Sequence, residues 1–309
     1  MEQHLRAFIT VAEKQSFSRA AEELHLTQPA VTLHIQALER EVGAQLLERT
    51  NKYVRLTRAG EIVFAHAQRI HELYDQMQRY VDDLVHVASG PLLVGASYTL
   101  GEYVLPRILA RLQRAYPAIT PAVTIANTRA IAEQVAANQL EVGLVEGEVP
   151  PHQLQIAPLL HDELVAIAGI DHPLAQENEM EASQLSGQTW ILRESGSGTR
   201  AITDQFLASA RITPGKILEF GSTQMVKEAV EAGMGVALLS QWTIRKELAL
   251  RSLRVLPVKS LPVTRQCFVI NPPTRFRTSA LIAFLTLLAE IAPVIAEDGA
   301  RDQDLVRNG

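Results

Sequence analysis

The pair Gly90-Pro91 divides the chain into two stretches with different apolar periods, so no single sheet or bundle accommodates both. Before it, residues 1–58 read as short helices with one irregular basic stretch. Residues 59–88 then read as one long helix, free of Gly and Pro after Gly60. After the pair, short apolar runs alternate with helical segments, the pattern of an α/β sheet. The strand candidates are Leu92–Ala96, Ala122–Ala126, Val142–Val145, Leu164–Ala168, Trp190–Leu192, Ile217–Phe220, Val236–Leu239, Arg254–Val258 and Cys267–Ile270. Helices are expected over Glu102–Ala115, Ile131–Asn138 and Ser279–Ile291. At 309 residues the chain is long enough for several compact units. The expected divisions are a head at 1–58, a linker helix at 59–89, a larger α/β part at 90–296 and a polar, frayed tail at 297–309.

Charge limits the function. The net charge is −5, so the chain does not bind polyanions by bulk charge, and any nucleic-acid site must be local and geometric. The first sixty residues hold eight Lys/Arg against seven Asp/Glu. One cysteine, Cys267, excludes an internal disulfide framework and multi-cysteine zinc sites, and its flanks read as a strand entering a core. No basic, apolar leader begins the chain, and no run approaches the roughly 18 apolar residues of a membrane span. The expected location is the cytoplasm, with no membrane partner.

The head carries the sharpest motif. Ser18 is a candidate N-cap for a helix packing Ala21 and Leu24 inward. Thr27 caps a second helix with Gln28-Pro29 in its first turn, where proline costs little, and Gly43 stops it. Val31, Ile35, Leu38 and Val42 share one buried stripe of that helix. Pro29, Thr32, Leu33, Gln36 and Arg40 lie away from the stripe, with Gln28 at its edge. Short polar and amide side chains near a helix N-terminus suit base edges and phosphates in the major groove. A plain solvated face reads the same way. The following segment adds Arg49, Lys52, Arg55 and Arg58 around a turn at Asn51-Lys52-Tyr53, which suits a basic wing lying on the DNA backbone or minor groove.

The segments FSRAAEEL (17–24), TQPAVTLHIQALE (27–39), LLER (46–49) and VRLTRAGE (54–61) together resemble the DNA-binding domain of LysR-type transcriptional regulators. Leu47 stands where that family usually has phenylalanine, and His34 where glutamine is common. The second departure is expected to alter operator preference. The resemblance implies DNA contacts at Gln28, Pro29, Thr32, Leu33, Gln36, Arg49 and Arg55. Ser18, Thr27 and Lys52 complete the candidate surface. The long helix shows two apolar series seven residues apart, Val63, Ile70, Met77, Leu84 and Leu73, Tyr80, Val87, which suit the seam of a coiled coil; a helix packed on its own domain reads the same way, but no nearby segment in the sequence covers it. A dimer, or a tetramer as the resemblance allows, would present two heads to two half-sites. Double-stranded operator DNA is then the main partner and RNA polymerase a further one.

Residues 91–296 resemble the family's effector domain, which has the two-lobed α/β fold of periplasmic binding proteins. The full expectation is α + α/β: a winged helix-turn-helix, a long linker helix and a two-lobed effector domain. Lobe one is expected at about 91–163 and 268–296, and lobe two at about 164–267, with crossings near Asp162-Glu163 and Gln266-Cys267. Several strands end in hydroxyl or amide side chains before a helix: Ser97 and Thr99, Asn127 and Thr128, Ser195 to Arg200, and Ser222. Helix N-termini present unpaired N–H groups, and ligands of open α/β sheets gather at strand carboxyl ends. Each hydroxyl can also be a plain cap. Ser97, Thr99, Asn127, Thr128, Glu146, Ser195, Gly196, Ser197, Thr199, Arg200 and Ser222 form the candidate effector pocket. Arg200 either pairs with a ligand charge or makes a surface salt bridge.

The segments SYTLGEYVLP (97–106) and ESGSGTR (194–200) are similar to a subgroup controlling inorganic sulfur and carbon assimilation, nearest to regulators of sulfite and cysteine metabolism. That similarity implies no cofactor and a small effector, an oxyanion such as sulfite or sulfate; a phosphorylated or carboxylated metabolite would use the same chemistry. An enzyme is the main rival, yet the chain has no Gly-x-Ser-x-Gly, phosphate-cradling loop or His-Glu-x-x-His. A solute-binding protein is the other rival for the two-lobed part.

Overall fold

A computed structural model describes residues 2–49, 53–82, 88–149, 153–273 and 276–292. The chain forms two compact units, Met1–Val85 and His86–Gly309.

The first unit opens with α1 (Glu2–Lys14), α2 (Phe17–Glu23) and α3 (Gln28–Val42), then a two-stranded hairpin of β1 (Leu47–Arg49) and β2 (Val54–Leu56), then α4 (Arg58–Asp82). Leu5, Phe8 and Val11 of α1 meet Phe17, Ala20 and Ala21 of α2 and Val31, Ile35 and Leu38 of α3 in one core. Each large side chain so buried contributes about 1.5–3 kcal/mol. Thr27 Oγ1 accepts the Ala30 N–H at 3.3 Å, and Gly43 at φ +73° ends α3.

Two local expectations are corrected. The N-cap of α2 is Ser16, whose Oγ accepts the Arg19 N–H at 3.3 Å; Ser18 is exposed within the first turn. The helix starts earlier because Phe17 is its first residue and is buried. Val42 is 44% exposed and leaves the α3 stripe, because the chain turns at Gly43 and returns Leu46 and Leu47 to the core instead.

The long helix is divided in its duties. Val63, Phe64 and Ala67 pack on the head core, and Phe8 and Phe64 meet edge to face at 6.4 Å. Val63 therefore packs against the head core. Further along, Ile70, Leu73 and Met77 are 49%, 57% and 46% exposed. Tyr80 lies on α4, but its side chain, Leu84 and Val87 fall outside the described residues, as does the tail. Ala88 is in a bend, so the expected helix 59–88 ends short of its bound.

The second unit comprises β3 (Gly90–Ser97), α5 (Tyr98–Tyr103), α6 (Leu105–Ala115), β4 (Ile119–Ala126), α7 (Thr128–Ala136), β5 (Val142–Glu146), β6 (Gln155–Gly169), β7 (Thr189–Arg193), α8 (Gly198–Ser209), β8 (Lys216–Phe220), α9 (Thr223–Glu231), β9 (Ala237–Ser240), α10 (Arg245–Leu250), β10 (Leu253–Val255), β11 (Val263–Asn271) and a helix α11 at 279–292. The helix expected over Glu102–Ala115 is two helices that break at Val104, because Pro106 opens α6 and cannot continue α5. β6 and β11 are longer than their apolar runs because they are shared. They pair antiparallel from Gln155↔Asn271 to Leu164↔Val263. On one half β11 also pairs β5, which pairs the parallel set β3 and β4. On the other half β6 pairs β9 and β10. Hydrogen bonds from Val236 join β7 and β8 to that side. The result is two sheet regions, here lobe one and lobe two, joined by two adjacent strands, with separate apolar cores.

Candidate functional site

The head presents one face of α3. Gln28, Pro29, Leu33 and Gln36 are exposed and Thr32 is half-buried, while Val31 and Ile35 hold the opposite face in the core. The Ser18 hydroxyl reaches Gln28 Oε1 at 3.4 Å, tying the start of α2 to the start of α3. His34 is half-buried against the His4 ring, 5.3 Å away, and so does not share the exposed set.

The hairpin beside this face is fastened to it. Glu39 Oε1 accepts the N–H groups of Leu46 and Leu47 at 2.9 and 3.3 Å. Thr57 donates to the Gln45 carbonyl at 2.7 Å and accepts the Gly60 N–H at 2.9 Å. A Cβ at Gly60 would collide with the Leu46 carbonyl, so glycine permits this close approach. Arg55 is exposed with its guanidinium 4.7 Å from the Tyr53 ring centre. Arg49 lies on β1 opposite Val54, and Lys52 lies outside the described residues.

In the second unit the hydroxyls divide into two layers. Ser97, Thr99, Thr128 and Thr199 are buried and engaged by the protein. Ser97 Oγ contacts Glu146 Oε2, and Thr128 donates to the Glu146 carbonyl at 3.0 Å. Thr99 and Thr199 both accept from Arg265, at 3.1 and 2.9 Å. Arg265 also pairs with Asp162 and stands 3.6 Å from Glu146. This layer therefore holds two carboxyl groups for one guanidinium and offers no surplus positive charge. Burial raises the Glu146 carboxyl above the ordinary range, with Arg265 opposing.

The second layer is an open mouth between the lobes, a cavity of about 430 Å³ lined by Arg129, Glu148, Ser195, Gly196, Ser197, Arg200 and Asp204, among others. Ser197 is the N-cap of α8 and accepts the Arg200 N–H at 3.4 Å. Gly196 is at φ +92°, which turns its carbonyl to accept the Arg129 N–H at 3.2 Å across the lobes. Asn127 caps α7 through Ala130 and donates to Glu194 at 3.2 Å. Arg200 bonds Asp204, Glu219 and the Arg193 carbonyl, which is the salt-bridge alternative of the two that its sequence leaves open. Arg129, exposed on α7, has no carboxylate partner among the described residues.

Sequence reasoning missed Arg129 and Arg265. Arg129 left a weak trace: a cation in the first turn of a helix opposes the partial positive charge there, so the helix alone does not favour it. Arg265 sits in a strand and left none. Ser222 caps α9 through Met225 and does not line the mouth. Its neighbour Thr223 accepts from Arg193 at 2.8 Å, and Arg193 stacks 4.4 Å over the Tyr98 ring.

Comparison with known proteins matches residues 3–61 to the bacterial regulatory helix-turn-helix protein, lysR family, and residues 86–293 to the LysR substrate binding domain. Over 284 residues the chain is 38% identical to the HTH-type transcriptional regulator CysL of Bacillus subtilis (strain 168), covering 92% of this chain and 95% of that one. A probable RuBisCO transcriptional regulator of Synechocystis is 34% identical over 287 residues, covering 91% and 83%. Among solved structures, the Synechocystis PCC6803 CcmR regulatory domain in complex with 2-PG superposes with TM-score 0.60 at 28% identity, covering 65% of this chain and 97% of that one.

Proposed function

This chain belongs to the LysR family of bacterial transcriptional regulators, and on that premise we propose that it binds promoter DNA through α3 and its hairpin under the control of a small anion held at the mouth between the lobes. The homologues named above are transcriptional regulators and not enzymes. Among the described residues no helix is long and apolar enough to cross a membrane. The regulator acts in the cytoplasm as a dimer or tetramer, with operator DNA as its main partner and RNA polymerase as a further one. The DNA surface is Ser18, Thr27, Gln28, Pro29, Thr32, Leu33 and Gln36 with Arg49, Lys52 and Arg55.

One observation carries the anion. Arg129 lacks an acidic partner among the described residues and faces the Ser195–Ser197 turn at the N-terminus of the 12-residue helix α8. A guanidinium, a hydroxyl and a helix N-terminus together favour an oxyanion. The resemblance to CysL supports sulfite or sulfate and control of sulfur assimilation genes. The CcmR complex and the RuBisCO regulators support 2-PG and carbon genes as the second reading.

Calorimetry on the full chain with sulfite, sulfate, phosphate, 2-PG and small carboxylates tests the site. One of them is expected to bind and to raise the melting temperature by linkage. Arg129→Gln should weaken it by about tenfold or more, as loss of a charge-assisted hydrogen bond does. Silence from all five overturns the anion reading; binding of sulfite or sulfate favours the sulfur reading, and binding of 2-PG the carbon one.

A further inference from the structure

β6 and β11 carry the chain between the lobes, and in their register Asp162 and Arg265 stand directly opposite each other. The Arg265 side chain is fully buried. Its planar fork has five N–H donors. Nε donates to Asp162 Oδ2 at 2.8 Å, and Nη2 lies 2.6 Å from the same oxygen. Nη2 also donates to Thr99 Oγ1, and Nη1 to Thr199 Oγ1. Thr99 opens α5 in lobe one, and Thr199 opens α8 in lobe two. The other Asp162 oxygen accepts from Ser240, at the end of β9 in lobe two, at 2.7 Å.

We propose that Arg265 is a positioning residue that latches the two lobes together at the joining strands, independently of any ligand, and so sets the width of the mouth. The reason is geometric. One rigid cation is anchored on the joining strands by Asp162 and donates to the first turn of a helix in each lobe. Lysine, with three donors on a single nitrogen, does not span Asp162 and both hydroxyls. The lobes meet closely where the latch acts. A Cβ at Gly198 would collide with the Glu146 carbonyl, and Gly196 accepts the Arg129 N–H across the gap. Both contacts require the separation that the Arg265 fork defines.

Hydrogen exchange on the full-length chain without ligand tests the latch. Thr99→Val and Thr199→Val each remove one arm while keeping the shape of the side chain. Each is expected to accelerate exchange of the Arg129 amide by about tenfold or more, the effect of losing one hydrogen bond to a charged group. Amides of β7, in the interior of lobe two, should not change. The double variant should exchange no faster than either single one, because the arms act in series through one guanidinium. Arg265→Lys should reproduce the loss. Unchanged Arg129 exchange in both single variants overturns the proposal. So does equal acceleration throughout the second unit, which would make Arg265 a general core residue.

Discussion

Ser16 and Ser18 are chemically identical cap candidates two positions apart, and only one of them holds the start of α2. Ser16→Ala removes the acceptor of the Arg19 N–H and should cost the head about 1 kcal/mol, seen as faster exchange of the α2 amides. Ser18→Ala should leave that exchange unchanged. Glu146 provides a second test. Burial raises its carboxyl above the ordinary 4.5, so above that pH the folded unit holds a proton that the unfolded chain gives up. The stability it contributes is complete below pH 4.5 and is lost as pH rises through the raised folded value. Glu146→Gln cannot ionise and should flatten that decline in melts taken at successively higher pH above 4.5. An unchanged slope would show that the carboxyl is already ionised.

At the scale of elements, α4 combines two environments in one helix. Its first turns belong to the head core through Val63, Phe64 and Ala67. Its later turns expose Ile70, Leu73 and Met77, spaced three and four residues apart on one stripe. That is the spacing a coiled-coil seam uses. Leu73→Glu should therefore lower the mass measured by light scattering at micromolar concentration, while leaving the head folded. A wild-type chain that is already monomeric there would rule the seam out. The apolar series alone did not separate these duties, because Val63 has the seven-residue spacing whichever partner covers it.

For the whole molecule, the near balance of acidic and basic residues in the head predicts that DNA affinity depends on pairing of two heads. The cations cluster around the hairpin, and α3 offers mostly neutral groups. Arg55→Ala should weaken binding to all sequences and reduce the salt dependence by about one phosphate contact per head. Gln28→Ala should instead relax sequence preference and leave the salt slope unchanged. Leu73→Glu should cost more affinity than Arg55→Ala, because it removes the second head. These three comparisons use one promoter fragment titrated at several salt concentrations, and equal losses from all three variants would contradict the scheme.

The sequence by itself determined the elements whose causes are local. Thr27, Pro29 and Gly43 bound the 15-residue α3, and the Val31–Ile35–Leu38 stripe orients it, so its exposed side was legible without coordinates. The strands of the second unit were legible for the same reason, as apolar runs between turns. Only the tertiary structure decided the rest. Ser16 displaced Ser18 because Phe17 had a core to enter. Arg200 turned to Asp204 and Glu219, leaving Arg129 to face the mouth. Arg265 meets Asp162, Thr199 and Thr99 at sequence separations of 103, 66 and 166. Pairings at such distances leave no periodic trace in a sequence, because they follow from how two sheets share β6 and β11.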